Sequence, residues 1–434
     1  MVNVTVRPAS RLEGVLVAPA SKSYTQRMLI AAALSEGVGR VVNPLLSEDT
    51  LATFRAITAF GAQVQKTKDC WLVQGVNTLK AADGLVDVGE SGATLRFMIP
   101  IAGLALGRSS FLLSSSLERR PIEPLLLSLK MLGVETCLEQ SGSHKMIVVE
   151  GRGGLAGGKT RLPGDVSSQF VSGLMFACPI AMADTEIQIT TPLESKEYVK
   201  MTQEVLAKHG IEVYISEDYR CIHIPGKQTF RQVDCQVSGD FSSAAFLLSA
   251  ASITNSKVKV DNLSYDTVQG DRAILDILRH MGVKIKVFEH SVEVQGTGSL
   301  LKAVDIDAKN VPDLVPICAV LACYAEGKLK IFNAHRLKFK ESDRLVTVYE
   351  ELTKMGALIS MDNSSLSIKG SRVHGAIINP HNDHRIAMAC TVAALGARGE
   401  TIVENAECVR KSYPSFYADL ADIGVEIGGG KLVR

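Results

Sequence analysis

The sequence predicts an α/β protein made of two similar domains, each built from three repeated units. The chain has 434 residues, of which 46% are hydrophobic and 21% charged, and a single hydrophobic core stops growing near roughly 250–300 residues. A second observation is a pattern that occurs six times, an amphipathic helix that ends in glycine and is followed by an alternating strand. The third is an earlier helix in each unit that is apolar on nearly every face, which is typical of a buried helix.

Six glycines mark the ends of the amphipathic helices at nearly even spacing. They lie 72, 77, 72, 74 and 68 residues apart, at Gly61, Gly133, Gly210, Gly282, Gly356 and Gly424. Glycine after a helix supplies the left-handed C-cap, and the Val, Ile or Ala that follows it opens a strand. Each unit of about 72 residues is therefore expected to contain a strand, a buried helix, a strand, an exposed helix and a strand.

The buried helices are predicted to begin near six positions, which are Lys22, Gly92, Ser167, Ser242, Asp313 and Asp383. An open solenoid is the first alternative, but solenoid periods are usually about 20–50 residues, and helices that are apolar all round need cover on every side. Two compact domains fit better, one formed by residues 1–18 and 236–434 and the other by residues 19–235.

Composition excludes several classes of protein. The 47 Lys and Arg residues balance 46 Asp and Glu residues, so the net charge of +1 gives no global attraction to nucleic acid or to a membrane. The first eight residues alternate like a strand and lack the regions of a signal peptide, and the longest apolar stretches, 95–107 and 314–325, are shorter than a membrane span. We therefore expect a cytoplasmic protein. Nine cysteines without a CxxC pair indicate neither a disulfide framework nor a structural zinc site.

The starts of the buried helices carry residues suited to anions. A helix N-terminus offers unpaired N–H donors and about half a positive charge. Ser, Thr and Asp at these positions are also good N-caps, which is the simpler explanation, but capping requires neither Lys22, Arg27 nor Arg385. Ser23 and Arg27 are four residues apart and share one helix face. Several such starts together predict a site for a multiply charged anion.

Two further groups of cations are candidate binding residues, but the local sequence is equally consistent with solvated side chains. Arg336, Lys338 and Lys340 alternate along the sequence, so a strand there would place three cations on one face, either as a binding surface or as a solvated edge strand. Arg119 and Arg120 precede a proline in a predicted loop that enters a helix. One of these two arginines is either a ligand clamp or a solvated side chain.

Residues 153–160 satisfy the phosphate-binding pattern GxxxxGK[ST] of P-loop proteins. That pattern requires a helix that begins at the Lys-Thr pair, here Lys159 and Thr160. The segment that follows contains Pro163 and Gly164, so the next helix is predicted to begin only near Ser167. We interpret the match as a coincidence within a glycine-rich hairpin. A P-loop ATPase remains a distant alternative, as does a repeat scaffold without catalytic activity.

Nine segments, taken together, resemble the enolpyruvyl transferase family, and within it the 5-enolpyruvylshikimate-3-phosphate synthases. The resemblance covers residues 19–414 and is carried, in order, by Ser21-Lys22-Ser23 with Arg27, 89–96, Arg120-Pro121, Ser167-Ser168-Gln169, 239–243, Pro312-Asp313, 340–344, 382–385 and 411–414. It implies two domains of three βαβαββ units with the helices inside, an inside-out α/β barrel, and an active site in the cleft between the domains.

The resemblance also implies a reaction and its site residues. The carboxyvinyl group of phosphoenolpyruvate would pass to the 5-hydroxyl of shikimate 3-phosphate, with release of phosphate, in the pathway to chorismate and the aromatic amino acids. Shikimate 3-phosphate would be held by Lys22, Ser23, Arg27, Ser167, Ser168, Gln169, Ser195, Tyr198, Asp313 and Lys340. Phosphoenolpyruvate would be held by Lys22, Gly92, Arg120, Gln169, Arg344, Arg385 and Lys411.

The proton transfers would fall to Asp313 and Glu341, with Lys22 as an additional proton donor. Because the reaction passes through a tetrahedral ketal, one group must accept the proton of the attacking hydroxyl and another must protonate the vinyl methylene. A carboxylate at a helix N-terminus, such as Asp313, is stabilised as the anion and suits the base. The resemblance implies no metal and no organic cofactor, and we expect a monomer with only these small-molecule partners.

The sequence departs from the family pattern at three positions. Glu90 and Ala93 stand where the family commonly has Asn and Thr, and Arg336 stands where many members have a neutral side chain. The family binds the herbicide glyphosate in its phosphoenolpyruvate pocket. Because of these departures, the sequence predicts neither sensitivity nor resistance to it. The nearest alternative is UDP-N-acetylglucosamine 1-carboxyvinyltransferase, which shares the fold but carries a loop cysteine and lacks the Ser-Ser-Gln phosphate site. Cys137, expected at the end of an exposed helix, does not match that loop.

Overall fold

The computed structural model describes residues 2–67, 69–142, 144–296 and 298–429. The chain divides into two compact units, one of Met1–Ala20 with Ser238–Arg434 and the other of Ser21–Val237. We call them the terminal unit and the central unit. None of the helices in the described ranges combines the length and the apolar character that a membrane span requires.

Apart from the four-residue α4, the helices alternate between buried and amphipathic ones along the chain. In chain order they are α1 (Lys22–Ala33), α2 (Glu48–Ala59), α3 (Gly92–Ala102), α4 (Ser115–Glu118), α5 (Glu123–Met131), α6 (Ser168–Ala177), α7 (Lys196–Lys208), α8 (Phe241–Ile253), α9 (Ile274–His280), α10 (Val315–Cys323), α11 (Arg344–Lys354), α12 (His384–Leu395) and α13 (Phe416–Asp422). Short 3₁₀ turns lie at Cys178–Ile180, Gly270–Ala273, Pro312–Leu314, His335–Phe339 and Ala406–Lys411.

The strands are short and nearly all belong to sheets of four. In chain order they are β1 (Val4–Val6), β2 (Glu13–Val17), β3 (Val38–Val42), β4 (Gln63–Lys66), β5 (Cys70–Gln74), β6 (Leu85–Asp87), β7 (Leu106–Leu112), β8 (Glu135–Ser141), β9 (His144–Arg152), β10 (Gly158–Leu162), β11 (Thr185–Ile189), β12 (Tyr214–Ile215), β13 (Cys221–Ile224), β14 (Cys235–Gln236), β15 (Lys257–Asp261), β16 (Lys284–Val287), β17 (Ser291–Gln295), β18 (Leu301–Lys302), β19 (Ile306–Asp307), β20 (Ala325–Glu326), β21 (Lys328–Phe332), β22 (Leu358–Met361), β23 (Leu366–Lys369), β24 (Ile377–Ile378), β25 (Thr401–Val403) and β26 (Ile427–Gly428).

One sheet topology occurs six times in the described residues, three times in each unit. The strand orders are β14-β3-β5-β4, β6-β7-β9-β8 and β10-β11-β13-β12 in the central unit, and β2-β15-β17-β16, β19-β21-β23-β22 and β24-β25-β1-β26 in the terminal unit. In each order the first pair is parallel and the other two pairs are antiparallel. The predicted α/β class with a six-fold repeat is thus confirmed. The terminal unit also contains a two-stranded sheet, β18-β20.

The glycine signal marks the helix ends as predicted. Each of the six glycines lies two residues after the last residue of its helix, and each has a φ between 77° and 106°. Side chains with a Cβ rarely adopt this left-handed conformation, which is why glycine recurs there. The helices that precede these glycines are α2, α5, α7, α9, α11 and α13.

The helices predicted to be buried are buried. In α8 every residue from Phe241 to Ser252 is buried, and in α10 every residue is. Within the terminal unit α8, α10 and α12 pack against one another in one hydrophobic core. Such all-round apolar helices remove their whole surface from water, so burial is the main force that positions them. Because the core fixes these helices, it also fixes the positions of their N-termini, where the predicted site residues lie.

Three local predictions are wrong. Arg336 and Lys338 lie in the 3₁₀ turn His335–Phe339 and not in a strand, and only Arg336 is buried. Residues 153–157 connect β9 and β10, which belong to different sheets, so no hairpin forms; as predicted, no helix begins at Lys159. Cys137 is an exposed residue of β8 and does not end a helix. Seven of the nine free cysteines are buried, as expected of small core residues.

Candidate active site

Asp313 is the centre of a group of charged side chains in the terminal unit. It lies in the 3₁₀ turn Pro312–Leu314, directly before α10, where Pro312 fixes the first turn. Its Oδ1 accepts hydrogen bonds from Arg344 Nη1 at 2.7 Å and from Lys340 Nζ at 3.1 Å, and Oδ2 accepts from Arg385 Nη2 at 3.4 Å. The helix N-terminus adds partial positive charge. These contacts all favour the carboxylate form that a general base requires.

Arg344 connects three carboxylates. Besides Asp313, its guanidinium donates to Asp383 Oδ2 from Nε at 2.7 Å and to Glu341 Oε2 from Nη2 at 2.6 Å. The Arg344 side chain is only 1% exposed, and Asp383 is fully buried. Burial lowers the pKa of the Arg344 guanidinium, but the three carboxylates outweigh it and raise that pKa above its ordinary value. Arg344 therefore holds both predicted proton-transfer groups, Asp313 and Glu341, with one rigid side chain.

The start of α12 brings two more predicted cations to this unit. Asp383 caps α12 by accepting from the backbone N–H of Arg385 at 3.0 Å, and the Ser342 hydroxyl also donates to it. Lys411 is buried and donates from Nζ to the backbone carbonyl of Asn382 at 2.6 Å. Arg385 and Lys411 are thus both anchored at the segment that begins α12.

Lys340 differs from the arginines because it can lose its proton. Burial lowers the pKa of the Lys340 ammonium, an effect that Asp313 opposes and Arg344 and Arg336 reinforce. Arg336 donates from Nη2 to the backbone carbonyl of Lys309 at 2.9 Å and is itself buried. The segment before α11 therefore carries two closely spaced cations, although it is not the predicted strand.

In the central unit Lys22 opens α1. Ser21 caps that helix, and Lys22 Nζ makes an ion pair with Asp49 Oδ2 at 2.9 Å. Behind them the Gln26 side-chain amide donates to Thr53, Ser91 and Thr94 hydroxyls at 3.0–3.1 Å. This buried polar network links α1 to α2 and α3, and it fixes the position from which Lys22 projects.

Arg27 is buried among hydrogen-bond acceptors and aromatic rings. It donates to Thr202 Oγ1 at 2.8 Å and to the backbone carbonyls of Ser23 and Tyr198. Its guanidinium lies 5.0 Å from the ring centre of Phe97 and 5.8 Å from that of Tyr198. Burial lowers the pKa of Arg27 to about 10, so it remains charged at neutral pH. The predicted pair Ser23 and Arg27 does share one helix face.

The Ser167-Ser168-Gln169 segment forms the start of α6. Ser167 caps the helix by accepting from the backbone N–H of Gln169 at 3.3 Å. Arg96, a buried residue of α3, donates to Gln169 Oε1 at 2.8 Å and to Ser167 Oγ at 3.4 Å. Arg96 was not among the predicted site residues. Its position four residues after Gly92, like that of Arg27 after Ser23, is the signal that could have identified it.

Gly92 and Arg120 are in direct contact. A Cβ on Gly92 would lie 2.8 Å from Arg120 Nη1, so a larger residue would displace the guanidinium. Arg120 is buried, whereas its neighbour Arg119 is exposed. Of the two arginines that the sequence left as equal candidates, only Arg120 is therefore placed to hold a ligand within a packed environment.

Ser195 and Tyr198 begin α7. Ser195 is buried and has a left-handed backbone with φ of 51°, a conformation that is uncommon for a residue other than glycine. Tyr198 is held one turn later, with its ring beside Arg27. The structure thus places Ser23, Arg27, Ser167, Gln169, Ser195 and Tyr198 in the central unit, with Ser168 as the first residue of α6.

One group in the described residues has the ligand types of a metal site, Glu350, Glu351 and His381. Glu351 is fully buried, but both its oxygens already accept from Lys354 Nζ at 2.8 and 2.9 Å. It also accepts from the backbone N–H of Asn379 at 3.1 Å. A lysine in this position neutralises the carboxylate, so we interpret the group as a structural ion pair.

Taken together, the charged groups in each unit suit a substrate with several negative charges. The terminal unit combines Asp313 and Glu341 with Lys340, Arg344, Arg385 and Lys411; the central unit combines helix starts with Lys22, Arg27 and Arg120. Arginine forks suit carboxylate and phosphate, and lysines add point charges. The two carboxylates among the cations can transfer protons.

Comparison with known proteins agrees with this chemistry. The family model for EPSP synthase (3-phosphoshikimate 1-carboxyvinyltransferase) matches residues 6–420. The 3-phosphoshikimate 1-carboxyvinyltransferase of Methanocaldococcus jannaschii is 40% identical over 427 residues, covering 97% of this chain and 98% of the relative. The enzyme of the same description from Methanococcoides burtonii is 41% identical over 420 residues, covering 96% and 97%.

Solved structures show the same fold. EPSP synthase from Acinetobacter baumannii superposes with a TM-score of 0.82 at 24% identity, over 99% of this chain and 100% of that chain. The enolpyruvyl transferase NikO from Streptomyces tendae gives a TM-score of 0.79 at 19% identity, over 99% and 98%. At these identities the superpositions establish the fold, while the family model and the full-length relatives establish the family. The chain belongs to the EPSP synthase (3-phosphoshikimate 1-carboxyvinyltransferase) family.

Proposed function

We propose that the charged residues of the two units bind shikimate 3-phosphate and phosphoenolpyruvate and transfer the carboxyvinyl group between them. The activity is that of the family, 3-phosphoshikimate 1-carboxyvinyltransferase of the shikimate pathway. The observation that carries the proposal is Arg344, which is buried and binds the carboxylates of both Asp313 and Glu341 among further cations. Two proton-transfer groups in one anion-binding cluster are what this addition and elimination need.

The proposal assigns shikimate 3-phosphate first to the central unit. Arg27 supplies a permanent charge, and the starts of α6 and α7 supply hydroxyls and backbone N–H groups. Arg96 supports this surface by holding Gln169 and Ser167 in place. From the terminal unit, Lys340 and Asp313 would contact the same substrate. Asp313 then lies at the 5-hydroxyl and accepts its proton as the hydroxyl attacks.

Phosphoenolpyruvate is assigned to cations that both units contribute. Arg344 and Arg385 would bind its carboxylate, and Arg344 would then exchange part of its contact with Asp313 or Glu341 for the substrate. Lys22, Arg120 and Lys411 would neutralise its phosphate. Because Gly92 has no side chain, the Arg120 guanidinium can lie directly against the backbone at this position. Glu341 or Lys22 donates a proton to the methylene carbon as the 5-hydroxyl adds, which gives a tetrahedral ketal that carries a methyl group. The same group, now deprotonated, takes a proton back from this methyl group as the phosphate leaves, which restores the vinyl group, and the proton that Asp313 accepted is released with the phosphate.

Several features stay predictions within this proposal. They are the domain boundaries 1–18 with 236–434 and 19–235, the inside-out barrel of three βαβαββ units in each domain, and a site in the cleft between the domains. The monomeric state and the cytoplasmic location also stay predictions. UDP-N-acetylglucosamine as acceptor is the alternative that the family membership disfavours.

Replacement of the proton-transfer groups tests the proposal. Asp313→Asn and Glu341→Gln keep shape and remove basicity, so turnover should fall by roughly 10²–10⁴ while substrate binding is largely kept. Asp307→Asn, at an exposed carboxylate six residues before Asp313, is the matched control and should release phosphate at the normal rate. Near-normal turnover in either site variant would remove that residue from the mechanism.

Calorimetric titration separates the two substrate assignments. Arg27→Ala should weaken shikimate 3-phosphate binding, and Arg120→Ala should weaken phosphoenolpyruvate binding measured with shikimate 3-phosphate present. The exposed arginines Arg55 and Arg119 provide controls, and their alanine variants should bind both substrates normally. The reverse pattern for Arg27 and Arg120 would overturn the assignment.

A further inference from the structure

Asp271 is a buried carboxyl group of the terminal unit, and the proposed roles do not use it. It lies in the 3₁₀ turn Gly270–Ala273 and is 2% exposed. Its Oδ2 accepts a hydrogen bond from the hydroxyl of Ser242, in the first turn of α8. Its Oδ1 is buried and has no hydrogen-bond donor among the residues that the structure describes. A carboxylate oxygen without a donor is costly in the interior, so the group has a structural or functional reason to be there.

The segment that contains Asp271 is locked onto the start of α8. Gln269 accepts from the backbone N–H of Phe241 at 3.0 Å and donates to the backbone carbonyl of Gly239 at 2.8 Å. Asp240 caps the same helix through the backbone N–H of Ser243. Capping therefore does not depend on Asp271, and a fully satisfied cap leaves its carboxyl free for another role.

Packing brings other charged elements to Asp271, because α8 contacts both its 3₁₀ turn and the turn of Asp313 and also packs on α12. The helix α9 contacts the turn as well, but its charged side chains Asp276, Arg279 and His280 are exposed.

The titratable and charged groups that influence Asp271 therefore come from α8, α10 and α12 and from the turn before α10. They are Asp240 at the start of α8, Asp313 before α10, Cys318 in α10 and Arg385 in α12. The pKa of Asp271 is raised to about 7, mainly by burial and also by Asp313 and Asp240, while Arg385 and the Ser242 hydroxyl oppose the rise. A carboxyl group with this pKa is expected to change charge near neutral pH.

We propose that Asp271 is a positioning residue for the reaction, which acts on Asp313 and Arg385 through the charge of its own carboxyl group. Interaction between two charges is reciprocal. An ionised Asp271 strengthens Asp313 as a base and adds a second acidic neighbour to Arg385, whereas a protonated Asp271 leaves Asp313 weaker. This inference rests on the proposed role of Asp313.

The pH profile of the full-length enzyme tests it. Wild-type kcat should rise by about two- to tenfold across neutral pH, the effect of a neighbouring charge worth up to about one pKa unit. Asp271→Asn keeps the hydrogen-bonding shape but cannot ionise, so this inflection should disappear. Asp266→Asn removes an exposed carboxylate of the same segment and should keep it. An inflection that persists in Asp271→Asn overturns the inference.

Ser242→Ala gives an independent direction. Because the Ser242 hydroxyl stabilises the Asp271 anion, its loss should move the inflection to higher pH with the plateau rates retained. An unchanged or lower midpoint would contradict the assignment. These outcomes are distinct from failure of the proposed function, which shows as normal turnover in Asp313→Asn at every pH.

Thermal unfolding provides a readout that needs no activity. The pKa of Asp271 is raised from 3.8 to about 7 in the folded chain, so the folded state resists ionisation and loses stability as pH rises through this interval. Asp271→Asn removes that loss. Its melting temperature relative to wild type should therefore increase from acid to neutral pH, and a pH-independent difference would show that Asp271 does not titrate as proposed.

Discussion

Arg344 binds three carboxylates in the terminal unit, so its replacement should lower the stability of the protein. Arg344→Met keeps a long side chain but removes the charge and all its donors. The change strands Asp383, which is fully buried, together with Asp313 and Glu341, whose side chains are 16% and 17% exposed. Removing one partner of a buried ion pair leaves uncompensated charge in the interior, which is strongly destabilising.

The size of the effect follows from this burial. Loss of a buried partner costs about 3–5 kcal/mol. For a unit of roughly 200 residues each kcal/mol corresponds to about 2–4 °C, so the melting temperature should fall by roughly 6–20 °C. Arg344→Lys keeps the charge but offers one nitrogen in place of a fork. Its melting temperature should therefore lie between those of Arg344→Met and the wild type. At lower pH the stranded carboxylates are protonated, so the deficit should shrink.

The assay is thermal unfolding of the full chain without substrates, followed by circular dichroism across a pH series. The control is Arg279→Met, which breaks an exposed pair with Asp276 at 3.0 Å. Such surface pairs are worth about 0–1 kcal/mol, so this variant should melt within about 4 °C of wild type. Equal losses in Arg344→Met and Arg279→Met would refute the view that the three carboxylates depend on Arg344.

Three more predictions follow from other parts of the structure. Phosphate release should require both substrates and withstand a chelator, because lysines and arginines neutralise the anions; activity lost to the chelator and restored by a divalent metal would contradict this. Gly92→Ala should raise the KM for phosphoenolpyruvate severalfold, because the added Cβ would displace Arg120. Gly154→Ala should leave this KM unchanged, because a Cβ there would meet only Met182 at 3.5 Å. Equal KM values in the two variants would argue against the displacement. Burial lowers the pKa of His209 to about 4, so the unfolded chain takes up a proton first as pH falls below about 6.5 and stability is lost in acid. His209→Gln should lose less stability over that interval than wild type or the exposed-site variant His223→Gln, as measured by urea unfolding.

The repeat could be predicted from the sequence because its signals are local. Each amphipathic helix ends two residues before a glycine that only a left-handed C-cap requires. The predicted starts of the buried helices lie within two residues of the observed ones, since Ser, Asp and apolar runs mark them. These signals concern neighbours along the chain, and burial of apolar helices follows from composition alone.

The segment around Arg336 shows where such local reading fails. Alternating charges at Arg336, Lys338 and Lys340 suggest a two-residue period, but the segment is too short to distinguish a strand from a 3₁₀ turn. Burial of Leu337 and the hydrogen bond from Arg336 to the Lys309 carbonyl hold the turn. Both contacts involve packing that the local sequence does not contain.

The acidic partners of the site cations were also beyond sequence reasoning, for a physical reason. Asp49 and Asp383 reach Lys22 and Arg344 only because separate helices pack together. Buried cations nevertheless require counterions, so a cluster of predicted cations implies unseen carboxylates nearby. In the terminal unit these carboxylates already offset much of the cationic charge, and each substrate adds more negative charge. A neighbouring acid that is neutral at lower pH, as proposed for Asp271, lessens that repulsion and so couples substrate binding to protonation.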